Sequence, residues 1–249
     1  MKKIGIVGGI AWQSTAEYYA QLCRLSETWH IIRRPNDHPG TPEMSIESLE
    51  LARAVSYLGY EKDERSWHQF DDYHRAALNR LEASGADFAI IASITAHHRL
   101  DTILQGVEIP VVNVVEEVAK EAESIGLERI VLLGTESTMK SAKFREQFAG
   151  HGVEATGPQD CAVIAQISEL IADLQRGKSV RADERLMNIA KRLPGSKVGG
   201  RSAVCLACTE LSLAFARLKR RITFEKDDML FINAAAVHIR AAFNVAIDL

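Results

Sequence analysis

The sequence contains no uninterrupted apolar run approaching the ~20 residues that a membrane-spanning helix requires. It has no excess of charge of one sign: 30 Lys and Arg stand against 33 Asp and Glu, for a net charge of -3. Such a balance offers no field to attract a nucleic-acid backbone or an anionic membrane surface. There are only four cysteines. They lie mostly in apolar surroundings, which points to reduced thiols and a cytoplasmic location. Low-complexity segments and blocks of like charge are absent. The basic, then apolar opening at residues 1–7 is too short for the hydrophobic region of a signal peptide, and Gly8-Gly9 breaks it, so it reads as a first strand. Those glycines do not form G-x-G-x-x-G, which removes the usual reason to expect a dinucleotide. His97 and His98 are adjacent and cannot readily share a metal, and no Cys or Asp set surrounds them. Neither a metal nor a cofactor is expected.

What the sequence does have is apolar mass: 249 residues, 47% of them hydrophobic, enough for one large core or two smaller ones. Residues 3–7 read as a buried parallel strand. A glycine loop follows, then a helix capped at Ser14 or Thr15 and running to about residue 30. A strand is expected at 43–48, an amphipathic helix over 67–84 closed by Gly85, a strand at 87–92, a short helix at 101–104, a strand at 107–112 and a helix over 114–125 capped by Gly126. Residues 129–134 then repeat the opening pattern. Helices over 140–150, 162–176 and 182–193, a weak strand at 153–156 and a strong one at 202–207 come next. The remainder is expected to be mostly helical, with a last strand at 229–232. Trp12, Tyr18 and Tyr19 read as packing residues, and so do Cys23, Cys161 and Cys205.

Two strand ends draw attention. An apolar run stops at Cys208-Thr209-Glu210, and another at Ser93-Ile94-Thr95-Ala96-His97. Open α/β sheets present their chemistry at such carboxyl edges. The order strand, glycine loop, helix, then strand with a reactive end occurs twice, from Gly8 to Ser93 and from Gly134 to Cys208. The fold class expected is therefore α/β, with two pseudo-symmetric parallel-sheet domains and an active site in the cleft between them. The expected domains are 1–111 with 216–249, and 112–215. Equivalent groups on opposite faces of a small substrate suit racemisation, in which one base removes a Cα proton and a conjugate acid returns one from the other side. A cysteine serves well there when dipoles and helix starts stabilise its thiolate. Backbone N–H groups after Gly9, Ser93, Gly134 and Cys208 could neutralise a substrate carboxylate.

Gly8-Gly9 with Ser14-Thr15, Asp37-His38-Pro39, Gly85-Ala86-Asp87, Ser93-Ile94-Thr95-Ala96-His97, Leu133-Gly134-Thr135 with Thr138-Met139, Ala207-Cys208-Thr209-Glu210 and His238 occur in this order. Together they resemble the aspartate/glutamate racemase family over nearly the whole chain. The resemblance implies a PLP-independent isomerase of two α/β domains, a homodimer, acting on an amino acid of the aspartate or glutamate kind. It also implies roles. Cys208 would be the thiol acid/base, and Ser93, helped by His97, would occupy the place of the family's first catalytic cysteine. Gly9, Ser14, Thr15, Thr95, Thr135, Thr209 and Glu210 would line the substrate site.

Three positions depart from the family pattern. The family's first motif usually reads Cys-Asn-Thr-x-His, so Ser93 replaces a thiol and Ile94 replaces an asparagine that helps hold the substrate. Gln175 falls at or near a lysine that some members use for the side-chain carboxylate, and Arg53 is the candidate for an arginine with the same task. These changes point to a less polar side chain on the substrate. A single-cysteine lyase or decarboxylase on this scaffold, and a silent small-molecule binder, are the alternative readings.

Overall fold

A computed structural model describes residues 1–36, 38, 40–60, 63–193 and 201–248. Asp37 and Pro39 of the quoted motif lie outside the described residues. The chain divides into two compact units, Met1–Val112 with Ile239–Leu249, and Asn113–His238. Among the described residues no helix is long and apolar enough to cross a membrane.

The first unit is built on a three-stranded sheet, β1 (Ile4–Gly8), β2 (Met44–Ser48) and β3 (Phe88–Ile91), in the order β2-β1-β3, all parallel. β1 is buried along its whole length. Ile4, Ile6 and Val7 are inaccessible to solvent, each contributing about 1.5–3 kcal/mol of burial. The strand expected at 107–112 reduces to one parallel bridge between Ala89 and Val111. Pro110 explains this: it offers its carbonyl to the Ala89 N–H (2.8 Å) but has no N–H to return. The first helix runs over Trp12–Arg33, not from a cap at Ser14 or Thr15. Ala11 precedes it at φ 113, and the Thr15 hydroxyl instead accepts a hydrogen bond from the Gly9 N–H (2.8 Å). Tyr18 is buried, as expected of a packing residue, but Trp12 is 69% exposed and Tyr19 is also exposed.

The helix His68–Ala83 lays Phe70, His74, Ala77, Leu78 and Leu81 into this unit's core at helical spacing. His74 is completely buried, and its Nδ1 donates to the Phe70 carbonyl (2.8 Å). Its Nε2 has no hydrogen-bond partner, so the ring sits there as the neutral tautomer. Burial lowers its pKa to about 4. The unfolded chain binds this proton near pH 6.5 and the folded chain only near 4. The neutral ring's stabilising contribution is therefore complete above about pH 6.5 and lost as pH falls toward 4. Between pH 7 and 4.5 we expect wild-type protein to lose about 2–3 kcal/mol from this group, and His74→Leu to show a correspondingly flatter pH dependence of its urea midpoint. An identical slope in the variant would refute the assignment.

The second unit holds a five-stranded sheet: β4 (Arg129–Gly134), β5 (Glu154–Thr156), β6 (Ser202–Ala207), β7 (Thr223–Lys226) and β8 (Met229–Asn233), in the order β5-β4-β6-β8-β7. All neighbours are parallel except β7 and β8, which form a hairpin. Its two-residue turn, Asp227-Asp228, has both residues at positive φ (49 and 57), the geometry that matches strand twist in tight hairpins. β7 is absent from the sequence expectations, which made this stretch helical. Residues 216–238, expected to return to the first domain, belong with the second unit. The reason is that β8 pairs with β6 in register Val204↔Phe231, and Phe215, Phe224 and Phe231 form one aromatic cluster.

Taken separately, the two units share one plan. In each, the strand that ends in glycine (β1 at Gly8, β4 at Gly134) is central to a parallel trio, and the third strand of that trio (β3 or β6) runs into the reactive residues. A Cβ on Gly134 would lie 2.4 Å from the Ala207 carbonyl oxygen, so that edge has no room for a side chain.

Candidate active site

At the carboxyl end of β6 the chain leaves the strand at Ala207 and turns directly into the 3-10 helix Leu211–Phe215. Cys208, Thr209 and Glu210 occupy the corner, and all three are buried. The Leu211 N–H bonds back to the Cys208 carbonyl (3.1 Å), and the Leu213 N–H to that of Glu210 (2.9 Å). This winding turns the Glu210 side chain back onto its predecessors. The Cys208 thiol donates to Glu210 Oε2 (2.8 Å), and the Thr209 hydroxyl donates to the same oxygen (3.0 Å).

The electrostatics follow from this arrangement. Burial pushes the Cys208 thiol well above its ordinary range, and the Glu210 carboxylate beside it, by charge and by hydrogen bond, pushes it further. Backbone N–H groups of Glu210 and Leu211 act in the opposite sense but are outweighed. In this corner the thiol form of Cys208 is thus favoured over the thiolate. Cys205, three residues earlier, is buried inside the strand, and burial alone pushes its thiol up to about 12. It packs as expected. Cys161 does not: it is exposed at the start of the helix Cys161–Gln175.

Thr135 lies beside this corner. The β4–β6 register pairs Gly134 with Ala207, so Thr135 and Cys208 are each one residue beyond paired positions on adjacent strands. Thr135 caps the short helix Glu136–Lys140, and its Oγ1 lies 3.0 Å from Thr138 Oγ1 and 3.1 Å from Ser137 Oγ. Gln175 is the half-buried last residue of the helix Cys161–Gln175, about 21 Å of helix rise from its first residue.

In the first unit, Ser93 stands at the end of β3 as the extended residue before the single helical turn Ile94–His97, and its side chain makes no capping hydrogen bond. Ser93 and Thr95 are half-buried, while Ile94 and His97 are buried. His97 Nε2 lies 3.4 Å from the Ile91 carbonyl oxygen. The Ala92 N–H bonds to the Val7 carbonyl (2.8 Å), which holds the ends of β1 and β3 together. Gly9, at φ +84, is pressed so closely against Leu49 that an added Cβ would lie 2.1 Å from its carbonyl oxygen; only glycine fits that turn without strain. Ser14 is buried. Arg53 is exposed on the short helix Leu51–Ser56, with its guanidinium 5.6 Å above the Tyr73 ring. Tyr73 meets Tyr57 edge to face and receives the Glu50 N–H on its hydroxyl (3.0 Å).

Sequence reasoning missed the group that fixes the end of the Ser93 turn. Arg99, two residues past His97, is buried and makes two hydrogen bonds to Asp71, Nε to Oδ1 (3.2 Å) and Nη2 to Oδ2 (2.8 Å). It also pairs with Glu64 and lies 5.5 Å over the Trp67 ring. No local pattern announces a pairing across 28 residues. Among the described residues no cluster of three or more His, Cys, Asp or Glu side chains is arranged to hold a metal ion.

Residues 7–242 match the model of a family described as Asp/Glu/hydantoin racemase. The chain is 36% identical over 154 residues to the broad specificity amino-acid racemase RacX of Bacillus subtilis, a match covering 61% of this chain and 62% of the relative. It is also similar in structure to an aspartate racemase homologue from Pyrococcus horikoshii. That likeness has a TM-score of 0.73 and 26% identity, and covers 99% of this chain and all of the other. A crystal structure described as a putative Asp/Glu racemase from Yersinia pestis superposes with a TM-score of 0.77 at 21% identity, over 99% of this chain and 100% of that one.

Proposed function

The chain belongs to the Asp/Glu/hydantoin racemase family, and from that premise we propose that it interconverts L and D amino acids by cofactor-independent proton transfer at Cα. The observation that carries the proposal is the buried corner after β6, where the Cys208 thiol donates to Glu210. Cys208 is the proton carrier for one face of the substrate. It delivers its proton to the Cα carbanion and is left as the thiolate. Ser93 is the carrier for the other face, in the place of a second thiol: it takes the proton from Cα as its own hydroxyl proton passes to His97, which helps it. Backbone N–H groups at the strand ends, with Ser14, Thr15, Thr95, Thr135 and Thr209, hold the substrate carboxylate. Charge developing there is stabilised best by fixed donors in a site that excludes water.

The substrate side chain is the finer question. Ile94 cannot hydrogen-bond, Gln175 carries no charge to meet a distal carboxylate, and Arg53 is engaged with Tyr73. A relative 36% identical over part of its length is described as having broad specificity. We therefore favour neutral side chains over aspartate and glutamate, and two copies of the chain as the working unit.

The test is proton NMR of enzyme with L- and D-amino acids in D2O. Loss of the Cα proton signal together with appearance of the opposite enantiomer is the expected result. Release of CO2 without exchange would favour the lyase reading, and neither event with any amino acid would overturn the proposal. In the same assay Ser93→Ala is expected to lower kcat by about 100-fold or more, the scale of losing one acid–base partner. Unchanged kcat would remove Ser93 from the mechanism.

A further inference from the structure

The second unit holds a cavity of about 470 Å3 apart from the Cys208 corner. Its walls are the loop after β5, the first turn of the helix Cys161–Gln175 and the residues that follow the helix Ala182–Ala190. Among the described residues Val131, Val163 and Leu193 form its apolar floor, and all three are buried. Val131 pairs with Val204 on β6, so this floor lies about 13 Å of strand before Cys208. The volume falls within the roughly 300–1,000 Å3 of small-molecule sites.

The walls are braced from outside the cavity. Gly157 is pressed against Met139, whose carbonyl oxygen would lie 2.2 Å from an added Cβ. Pro158 beside it is buried, with its φ fixed by the ring. Asp160 holds the helix start by accepting the Ala162 N–H (2.8 Å). Collapse of the loop onto the apolar floor would have to break these contacts.

Arg192 is the cation of the rim. It is exposed, and its Nη2 donates to Gln166 Oε1. Gln166 stands one turn beyond Val163 on the same helix face, so it holds the guanidinium at the cavity's mouth. A guanidinium carries five N–H donors in a planar fork; Gln166 takes one, and the fork matches a carboxylate. The other rim charge, Asp160, points an oxygen at the helix N-terminus, where negative charge is favoured. A ligand with two or more negative charges would meet one cation and that carboxylate, so a single charge fits best.

We propose that this cavity is a second ligand site, for a small monocarboxylate with a branched aliphatic or aromatic body. The body rests on Val131, Val163 and Leu193, and the carboxylate meets Arg192. None of these residues acts at Cα, so the site stands whether or not Cys208 turns a substrate over.

The test is methyl NMR of labelled protein titrated with three probes that share one body: 4-methylpentanoate, 4-methylpentanamide and 4-methylpentylamine. 3-Phenylpropanoate is the aromatic acid. Both acids are expected to shift the Val131, Val163 and Leu193 methyl signals to saturation. 4-Methylpentanoate should bind about 5-fold more tightly than its amide, the scale of one exposed ion pair. Arg192→Met should reduce the acid to the affinity of the amide, and Cys208→Ala should leave acid binding unchanged. Absence of a saturable shift at these three residues with either acid overturns the proposal. So do shifts centred on Leu211, or binding lost in Cys208→Ala, since either places the acid at the corner after β6. An amine that binds more tightly than the acid would give the rim to Asp160 and overturn it too, as would a folded Arg192→Met protein that keeps the acid's advantage. The comparison of acid with amide needs no variant.

Discussion

Replacing Cys208 with alanine should abolish Cα proton exchange, a fall of about 1,000-fold or more, while the protein stays folded. The two halves of that expectation have separate physical grounds. The chemistry is lost because no other proton carrier takes the thiol's place: Cys205 is enclosed within β6, with its thiol pushed up to about 12 by burial, and Thr209 offers only a hydroxyl already bonded to Glu210. The fold survives because sulfur is small and its hydrogen-bond acceptor, Glu210, keeps the Thr209 donor. Loss of the thiol's contacts in the second unit's core is expected to lower stability by about 1–2 kcal/mol. The variant should thus show a cooperative urea transition with its midpoint lowered in step with that loss, and no deuterium incorporation in the NMR assay. Incorporation at the wild-type rate would remove Cys208 from the mechanism altogether. The control is Cys205→Ala, which should cost stability on the same scale and leave kcat within a few-fold of wild type.

The largest effect on stability should come from Arg99→Ala, a loss of about 3–5 kcal/mol. The side chain of Asp71 is only 3% exposed and that of Arg99 only 7%. Removing the guanidinium leaves a buried carboxylate with its charge unanswered, and the surrounding Trp67 and Phe70 cannot solvate it. Arg99→Lys should recover part of the loss at best, because an ammonium cannot reproduce the bidentate geometry seen at Nε and Nη2. The double variant Arg99→Met with Asp71→Leu should be far more stable than Arg99→Ala, since it removes the stranded charge. Urea denaturation of these variants at pH 7 decides the matter. If Arg99→Ala and wild type unfold at the same midpoint, the ion pair has no structural weight. Since Arg99 follows the Ser93–His97 turn directly, the destabilised variant should also lose turnover, and the double variant should recover stability before it recovers kcat.

Most of the helices, and the parallel strands β1–β6 and β8, were legible in the sequence because their signals are local. Continuous apolar runs, helical spacing in His68–Ala83, and glycines at Gly85 and Gly126 with positive φ (78 and 71) all act within a few residues of themselves. The failures are equally specific. Pro110 sits within an apolar run that reads as a strand, and its missing N–H matters only once a neighbouring strand needs it. Asp227-Asp228 looks like a polar break, and only the left-handed backbone of both residues makes it a hairpin.

For the candidate site, the amino acid order alone determined which strand ends carry reactive groups: Ser93 after one apolar run, Cys208, Thr209 and Glu210 after another. It also determined that the glycine-ended strands would be followed by hydroxyl-bearing segments, since strand, turn and helix propensities are properties of short stretches. Only the tertiary structure decided that 216–238 joins the second sheet, because strand pairing is set by partners far along the chain. It alone decided that Arg99 answers Asp71 across 28 residues. It alone decided that the Cys208 thiol donates to the Glu210 carboxylate in a buried corner. Desolvation and charge pairing depend on what surrounds a group in space. A linear sequence holds the groups but not their surroundings.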